Sequence, residues 1–303
     1  MPLSEQAQAF IDAIANGDRP GWEEMSPAEG REIFNGFDEL FGEGPELARV
    51  ENRVLPGDVK VRIFADSDET QPAVMYFHGG GWVLGNIDTH DALCRRIAKL
   101  SGCVIISVDY SRSPEHRYPK AFNECHAATK YVAEHAAEFG IDKKRIAVMG
   151  DSAGGNLAAA VALKSRDEGP KLALQVLIYP VIEPVFDTES YQAFGTGHGL
   201  SLANMRWFWD QYLGDQQADA FAAPSRAKTL AGLPPAHVIT AEFDVLRDES
   251  EAYARQLNEA GVPTTTSQYL GNLHGFIHFA GAFDDGLAAT QRLADTLKHK
   301  FEK

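Results

Sequence analysis

The sequence predicts an α/β fold in which one mostly parallel sheet is flanked by helices. From about Val61 onward, short β-branched runs alternate with helical stretches, as they do in successive βαβ units. The chain has 303 residues, of which 44% are hydrophobic, and this supplies enough apolar surface for one large core. We therefore expect a single domain over residues 1–303.

The strands are predicted where apolar and β-branched residues run together. Seven such runs stand out: Val61 to Ala65, Val74 to Phe77, Val104 to Val108, Ile146 to Met149, Leu174 to Ile178, His237 to Ala241 and Thr265 to Tyr269.

The helices are predicted where apolar residues recur at spacings of three and four. They cover Asp91 to Leu100, Ala121 to Phe139, Asn156 to Arg166, Glu249 to Ala260 and Leu287 to Phe301. A glycine that can end a helix in the left-handed conformation follows several of these runs: Gly102, Gly140, Gly169 and Gly261.

Two helical segments stand outside this alternation and are expected to form a cap. Residues 1 to about 45 precede the first strand, and residues 183–223 separate the strand that ends at Ile178 from the strand that begins at His237. Their apolar anchors are aromatic: Trp22, Phe34, Phe37 and Phe41 in the first segment, and Trp207, Phe208, Trp209 and Tyr212 in the second. Such helices can cover the strand ends, where open α/β sheets place their sites. The alternative is that these aromatics only pack the insertion onto the body of the domain.

Composition excludes several classes of function. A net charge of −15 weighs against a nucleic-acid partner, because phosphate backbones are bound by clustered Lys and Arg. Cys94, Cys103 and Cys125 are odd in number and lack CxxC spacing, so neither a disulfide framework nor a zinc site is expected. The opening residues resemble an amphipathic helix rather than a secretion signal, and no apolar run approaches the ~20 residues of a membrane span. We expect a soluble cytoplasmic protein.

The motif Gly150-Asp151-Ser152-Ala153-Gly154 predicts a nucleophilic serine. It follows an apolar strand directly and precedes a helix, which is the context in which a sharp turn projects Ser152 from the sheet edge. The helix N-terminus then faces the site and favours negative charge there. The alternative, that Ser152 only caps the helix, would make the other motifs coincidental.

A second motif, His78-Gly79-Gly80-Gly81-Trp82, predicts an oxyanion hole after the strand that ends at Phe77. Acyl transfer produces an alkoxide that fixed N–H groups must bind, and glycines let backbone amides approach it closely. We expect Gly79 and Gly80 to donate, together with Ala153. A phosphate-binding loop is disfavoured because neither GK[ST] nor the GxGxxG spacing is present.

The acid and the base are predicted at the ends of the last two strands. Asp244 lies just past the strand that ends at Ala241, whereas Asp248 is expected to be the N-cap of the next helix in a capping box. His274 follows the strand Thr265 to Tyr269 at the same sheet edge, with His278 as the rival. The order Ser, Asp, His is that of α/β-hydrolases.

These residues resemble the bacterial hormone-sensitive-lipase-like family of α/β-hydrolases, whose members are mostly carboxylesterases. The match covers about Val61 to Phe279. Its motifs are HGGGW with Asp88-Thr89-His90, VDY with PEHRYP, GDSAGG, DVLRDE and HGF. The chain departs from the family pattern DYRLAPEH at residues 111–113, where it has Ser-Arg-Ser, and this affects packing near the site.

The resemblance implies an eight-stranded α/β-hydrolase fold with a helical cap, formed by the N-terminal segment and the insertion after strand six. It also implies Ser152 as nucleophile, Asp244 as acid, His274 as base, and Gly79, Gly80 and Ala153 as the oxyanion hole. The expected reaction is hydrolysis of short- to medium-chain acyl esters through an acyl-enzyme, without a metal or organic cofactor. The family suggests monomers, or homodimers through the last strand and helix.

Five residues are expected to form apolar walls for the substrate: Trp82, Trp207, Phe208, Trp209 and Leu246. Packing in the core is the alternative role for each. An amidase or a deacetylase on the same scaffold remains an alternative activity, because the same constellation serves several acyl transfers. A ligand-binding receptor is a further alternative, which the complete triad disfavours.

Overall fold

The predicted sheet is present and has eight strands in a computed structural model of the chain, which describes residues 2–16 and 20–302. The strands are β1 (Arg49–Leu55), β2 (Val59–Ala65), β3 (Gln71–Phe77), β4 (Val104–Asp109), β5 (Ile141–Asp151), β6 (Leu174–Ile178), β7 (Ala236–Phe243) and β8 (Thr264–Leu273). Their order in the sheet is β1-β2-β4-β3-β5-β6-β7-β8. Only β2 runs antiparallel to its neighbours, and the remaining pairs are parallel.

The helices flank this sheet and form the cap. They are α1 (Glu5–Asn16), α2 (Pro27–Asn35), α3 (Asp38–Phe41), α4 (Asp91–Ser101), α5 (Lys120–Glu134), α6 (Ala136–Phe139), α7 (Ala153–Glu168), α8 (Glu189–Phe194), α9 (Leu202–Leu213), α10 (Arg247–Glu259) and α11 (Asp284–Phe301). Helices α1 to α3 precede the sheet, and α8 and α9 lie between β6 and β7, as the sequence predicts.

Strand β1 was not among the seven predicted runs. Its sequence, RVENRVL, mixes charged and apolar residues, because it is an edge strand with a solvated face. It pairs with β2 along its whole length, from Arg49 opposite Ala65 to Leu55 opposite Val59. Val54 in this strand is 65% exposed.

Several helix boundaries differ from the predictions, and three of the differences bear on the site or on the shape of a helix. The helix predicted over 121–139 is broken at His135, whose backbone leaves the helical conformation between α5 and α6. Helix α7 begins at Ala153, directly after the predicted nucleophile, rather than near Asn156. Helix α10 begins at Arg247 with Leu246 as its N-cap, so the N-cap role predicted for Asp248 is wrong.

Two large apolar clusters lie on the two faces of the sheet and hold the helices against it. Because β3, β5, β6, β7 and β8 are parallel, their carboxyl ends meet at one edge of the sheet. None of the helices in the described ranges is long and apolar enough to cross a bilayer.

Candidate active site

The predicted nucleophile lies on a sharp turn between β5 and α7. Ser152 has φ 56° and ψ −119°, a conformation that non-glycine residues rarely adopt, and its N–H donates to the carbonyl of Ile178 at 2.8 Å. Gly154 approaches the carbonyl of Phe77 so closely that a Cβ atom would lie 1.9 Å from that oxygen. The motif therefore needs glycine at 154 for steric reasons, and the turn projects Ser152 from the sheet edge.

The three predicted triad residues are joined by two successive hydrogen-bond contacts. His274 Nε2 lies 3.0 Å from Ser152 Oγ, and His274 Nδ1 lies 2.7 Å from Asp244 Oδ2. The other carboxylate oxygen, Asp244 Oδ1, accepts the N–H of Leu246 at 2.9 Å. Since a carboxylate accepts from Nδ1–H, Nε2 is left with a lone pair directed at the serine hydroxyl. The ring of Tyr179 packs against the imidazole, with centroids 4.6 Å apart.

The rivals named from the sequence are engaged elsewhere. His278 is buried, and its Nε2 lies 2.9 Å from the carbonyl of Thr89. Asp248 accepts the N–H of Ser190 at 2.7 Å. Neither approaches the Ser152 hydroxyl through a hydrogen bond.

The glycine-rich motif after β3 lies beside Ser152, but the expectation for its first glycine is wrong. The Gly79 N–H donates to Asp151 Oδ1 at 3.0 Å, so this amide points away from a substrate. Gly80 and Gly81 line the cleft instead. Ala153 is the first residue of α7, and the amides at a helix N-terminus have no partner within the helix.

Two aromatic side chains pack together beside the glycine turn, which is formed by residues 79–81. The ring of His78 stacks on Tyr110 with centroids 4.1 Å apart, and the Tyr110 hydroxyl donates to the His78 carbonyl at 2.7 Å. Burial lowers the pKa of His78 well below its ordinary value, so the ring is neutral at pH 7.

Residues 111–113, where the chain departs from the family pattern, also form hydrogen bonds near the site. Arg112 donates to the carbonyl of Gly85 at 2.9 Å, and the N–H of Ser113 donates to the carbonyl of Trp82 at 2.9 Å. Ser111 donates through both its N–H and its hydroxyl to the carboxylate of Glu124. Arg112 and Ser113 thus support the segment that follows the glycines, whereas Ser111 bonds to helix α5.

A small apolar cleft of about 110 Å³ opens over Ser152 and His274. Both cap segments contribute to it, and its aromatic and aliphatic lining comes from Phe10, Ile14, Trp22, Phe34, Phe37, Leu84, Leu200, Phe208 and Phe279. A larger open groove of about 980 Å³ lies elsewhere, among lysines such as Lys130 and Lys171, and contains no triad residue.

Of the five predicted wall residues, only Phe208 lines the cleft. Trp82 is fully buried and stacks on Tyr212, with centroids 4.1 Å apart and planes 2° from parallel. Trp209 packs beside Trp82, and Trp207 packs against Phe208. Leu246 is fully buried at the start of α10. These four residues therefore have packing roles, which was the alternative for each.

Sequence reasoning missed most of the true lining. Phe10 and Ile14 reach the cleft from α1, and Tyr179 reaches it from the end of β6. Trp22, Phe34 and Phe37 were recognised only as apolar anchors of the cap. On an amphipathic helix, an apolar side chain that packs on the core and one that contacts a ligand give the same sequence pattern, so the sequence does not distinguish them.

His90, Asp151 and His278 form a buried cluster next to the glycine turn. Each offers an atom that could bind a metal ion, and these atoms lie within 4.8 Å of one another. The two imidazoles stack face to face, with centroids 3.8 Å apart and planes 9° from parallel. Lone pairs of ring nitrogens lie in the ring plane, so two parallel stacked rings cannot direct them at one ion. The cluster has the geometry of a stack rather than of a coordination shell.

Comparison with known proteins agrees with this site. A family model described as the alpha/beta hydrolase fold matches residues 74–278. The carboxylic ester hydrolase LipN of Mycobacterium tuberculosis is 40% identical over 253 residues, which cover 80% of this chain and 67% of that protein. An arylesterase of Saccharolobus solfataricus is 39% identical over 224 residues, which cover 73% of each protein.

A solved structure of a thermostable esterase from Pseudomonas putida superposes with a TM-score of 0.93 at 41% identity, covering 99% of this chain and 98% of that one. The conserved architecture therefore extends over the cap as well as the sheet. The chain belongs to the hormone-sensitive-lipase-like family of α/β-hydrolases.

Proposed function

We propose that this carboxylic ester hydrolase cleaves short- to medium-chain acyl esters, with Ser152 as nucleophile, His274 as base and then acid, and Asp244 as the group that orients the imidazole. The observation that carries the proposal is the continuous line of contacts from Asp244 Oδ2 through His274 to Ser152 Oγ, at 2.7 and 3.0 Å. This line ends at the floor of an apolar cleft.

The reaction follows from these positions. His274 Nε2 takes the proton of Ser152 as Oγ attacks the acyl carbonyl, and the imidazolium then gives that proton to the departing alcohol. Water enters, loses a proton to the same nitrogen and attacks the acyl carbonyl. The imidazolium then returns that proton to Ser152 Oγ as the bond to the acyl group breaks and the carboxylic acid leaves. Asp244 stabilises the imidazolium in both halves of the reaction without becoming protonated.

The negative oxygen of each tetrahedral intermediate needs fixed donors. Gly80 and Gly81 border the cleft next to Ser152, and the amide of Ala153 opens α7 beside it. We assign the oxyanion hole to these three amides, with Gly81 replacing Gly79. Loss of one such donor typically costs about a hundredfold to a thousandfold in turnover.

The size of the cleft supports small acyl groups. Its volume of about 110 Å³ is closed in by aromatic rings from both cap segments, including Phe34 and Phe208. An apolar lining of this kind favours uncharged substrates. We therefore place the optimum among short acyl chains.

A substrate panel with a serine variant tests the proposal. The wild type is assayed on p-nitrophenyl esters from C2 to C12 and on matching anilides, and we expect the highest kcat/KM at the short end of the esters. Ser152→Ala should lose about 10⁶-fold in kcat while remaining folded, because the attacking oxygen is gone. Ser165→Ala is the matched control, since Ser165 is a buried serine on α7, the helix that follows Ser152. Ester hydrolysis that survives in Ser152→Ala would refute the assignment.

A further inference from the structure

The buried carboxylate of Asp151, which is not part of the triad, contacts the glycine turn. Asp151 precedes the nucleophile, yet it is only 3% exposed. Asp151 Oδ1 accepts the Tyr76 hydroxyl at 2.6 Å and the Gly79 N–H at 3.0 Å. Its other oxygen, Oδ2, lies 3.3 Å from His90 Nε2. One carboxylate therefore joins β3, β5 and the turn that carries the oxyanion donors.

The close approach of this carboxylate to the turn is built into the sequence. A Cβ atom at Gly79 would lie 2.3 Å from Asp151 Oδ2, so a side chain there would displace the carboxylate. Burying a charged carboxylate is costly unless hydrogen bonds and an opposite charge compensate for it. Burial raises the pKa of Asp151, but His90 and the Tyr76 hydroxyl outweigh this effect, and the pKa stays below its ordinary range.

A column of stacked rings holds His90 in place from the cap side. His278 stacks on His90, and Phe41 of α3 covers the other face of His278 with centroids 4.4 Å apart. Burial lowers the pKa of His278 to about 3, so this ring is neutral at pH 7. A neutral His278 can donate from Nε2 to the carbonyl of Thr89, 2.9 Å away, and this bond fixes its orientation.

We infer that Asp151, held by Tyr76 and His90, is a positioning residue that fixes the orientation of Gly80 and Gly81 through its bond to the Gly79 amide. Gly79 is peptide-bonded to Gly80, so a rotation of the Gly79 amide turns the donor that follows it. The inference rests on the proposed function, because it assigns these glycines to the oxyanion hole. It predicts a loss of transition-state binding without a comparable loss of substrate binding.

The test replaces the Asp151 carboxylate with a neutral amide of the same shape. Hydrogen bonds to a charged acceptor are about twice as strong as those to a neutral one, so the amide should hold the Gly79 N–H more weakly. For Asp151→Asn we expect kcat on p-nitrophenyl acetate to fall by about 10-fold to 100-fold, part of the loss seen when an oxyanion donor is removed outright. KM should change by less than about threefold. A boronic acid inhibitor forms a tetrahedral adduct on Ser152 and should lose affinity by the same factor as kcat, since its oxygen occupies the same hole. A merely structural role would not link these two quantities.

Two further variants keep the test decisive. Asp219→Asn is the matched control, because Asp219 also accepts a tyrosine hydroxyl and backbone amides, from Tyr118, Phe221 and Ala222, and none of these partners belongs to the glycine turn. It should leave kcat and inhibitor affinity unchanged. If Asp151→Asn does not fold, Tyr76→Phe removes a single bond to the same carboxylate, and kcat should fall severalfold at constant KM.

Unchanged kcat and unchanged boronic acid affinity in a folded Asp151→Asn protein, or in Tyr76→Phe where Asp151→Asn does not fold, would overturn the inference. Failure of the proposed function has a different signature, because Ser152→Ala would then remain active.

Discussion

Asp244 and Asp248 are only four residues apart, yet only one of them reaches the imidazole. Asp244 follows β7, and both of its oxygens are used: Oδ2 faces His274 Nδ1, and Oδ1 is fixed by the N–H of Leu246. Asp248 lies in the first turn of α10, where it accepts the N–H of Ser190 from the cap. The position of each carboxylate relative to the start of the helix determines its partner.

This contrast gives a prediction at the scale of the residue. Asp244→Asn should lower kcat by about 10⁴-fold, because an amide in this position favours the wrong tautomer of His274. Asp248→Asn, which removes a charge four residues away, should stay within a few-fold of the wild type. The measurement is kcat on p-nitrophenyl acetate for both variants, with circular dichroism as the check on folding. A larger loss in Asp248→Asn than in Asp244→Asn would reverse the assignment.

At the scale of the element, helix α2 of the cap is tied to the segments around the site by one side chain. Arg31 donates to the carbonyls of Val83 and Ser113 at 2.8 Å each, and it binds the carboxylate of Glu115 through two nitrogens at 2.8 and 2.6 Å. Bidentate pairs of this kind fix geometry as well as charge. The helix is therefore held against the stretch that follows the glycine turn.

The pH dependence of stability tests this tie. The hydrogen bond from Arg31 lowers the pKa of Glu115 to about 2 from an ordinary value of 4.5. A lowered folded-state pKa stabilises the protein above the unfolded value, and the contribution is lost as the pH falls from about 4.5 through 2. Glu115→Gln should lower the free energy of unfolding at pH 7 by at most about 1 kcal/mol, since the carboxylate is half-exposed.

Urea unfolding at several pH values measures this difference. The gap in unfolding free energy between the wild type and Glu115→Gln should be constant from pH 7 to about 5 and should narrow below it. Glu134→Gln is the control, because its contact with Lys130 is a 4.0 Å surface pair. A gap that persists unchanged at pH 3 would show that the pair contributes nothing through its charge.

At the scale of the whole molecule, the triad could be predicted because the topology brings distant segments together. Apolar strands followed by Ser152, Asp244 and His274 can be recognised in the sequence, and parallel strands end at the same edge. Edge strand β1 escaped prediction, since its solvated face interrupts the apolar pattern. Most residues that line the cleft were not predicted either, because their positions depend on how the cap packs over the sheet. Trp82 was placed at the substrate, but it is buried against Tyr212.

The error at Gly79 has the same physical origin. A run of three glycines shows that backbone amides approach something closely, but it does not show which amide faces the substrate. The Gly79 N–H donates instead to Asp151, which lies 72 residues away in the chain, and this contact determines where the amide points. The orientation of a turn is set by such long-range partners, and local sequence does not reveal them.

Active-site labelling tests the central claim most directly. The purified chain is treated with a fluorophosphonate probe, and the modified peptide is identified by mass spectrometry. Convergence of His274 and Asp244 on one activated hydroxyl predicts a single adduct per chain, on Ser152, and none in a folded His274→Ala variant. An unlabelled wild-type protein, or an adduct on another serine, would contradict the account.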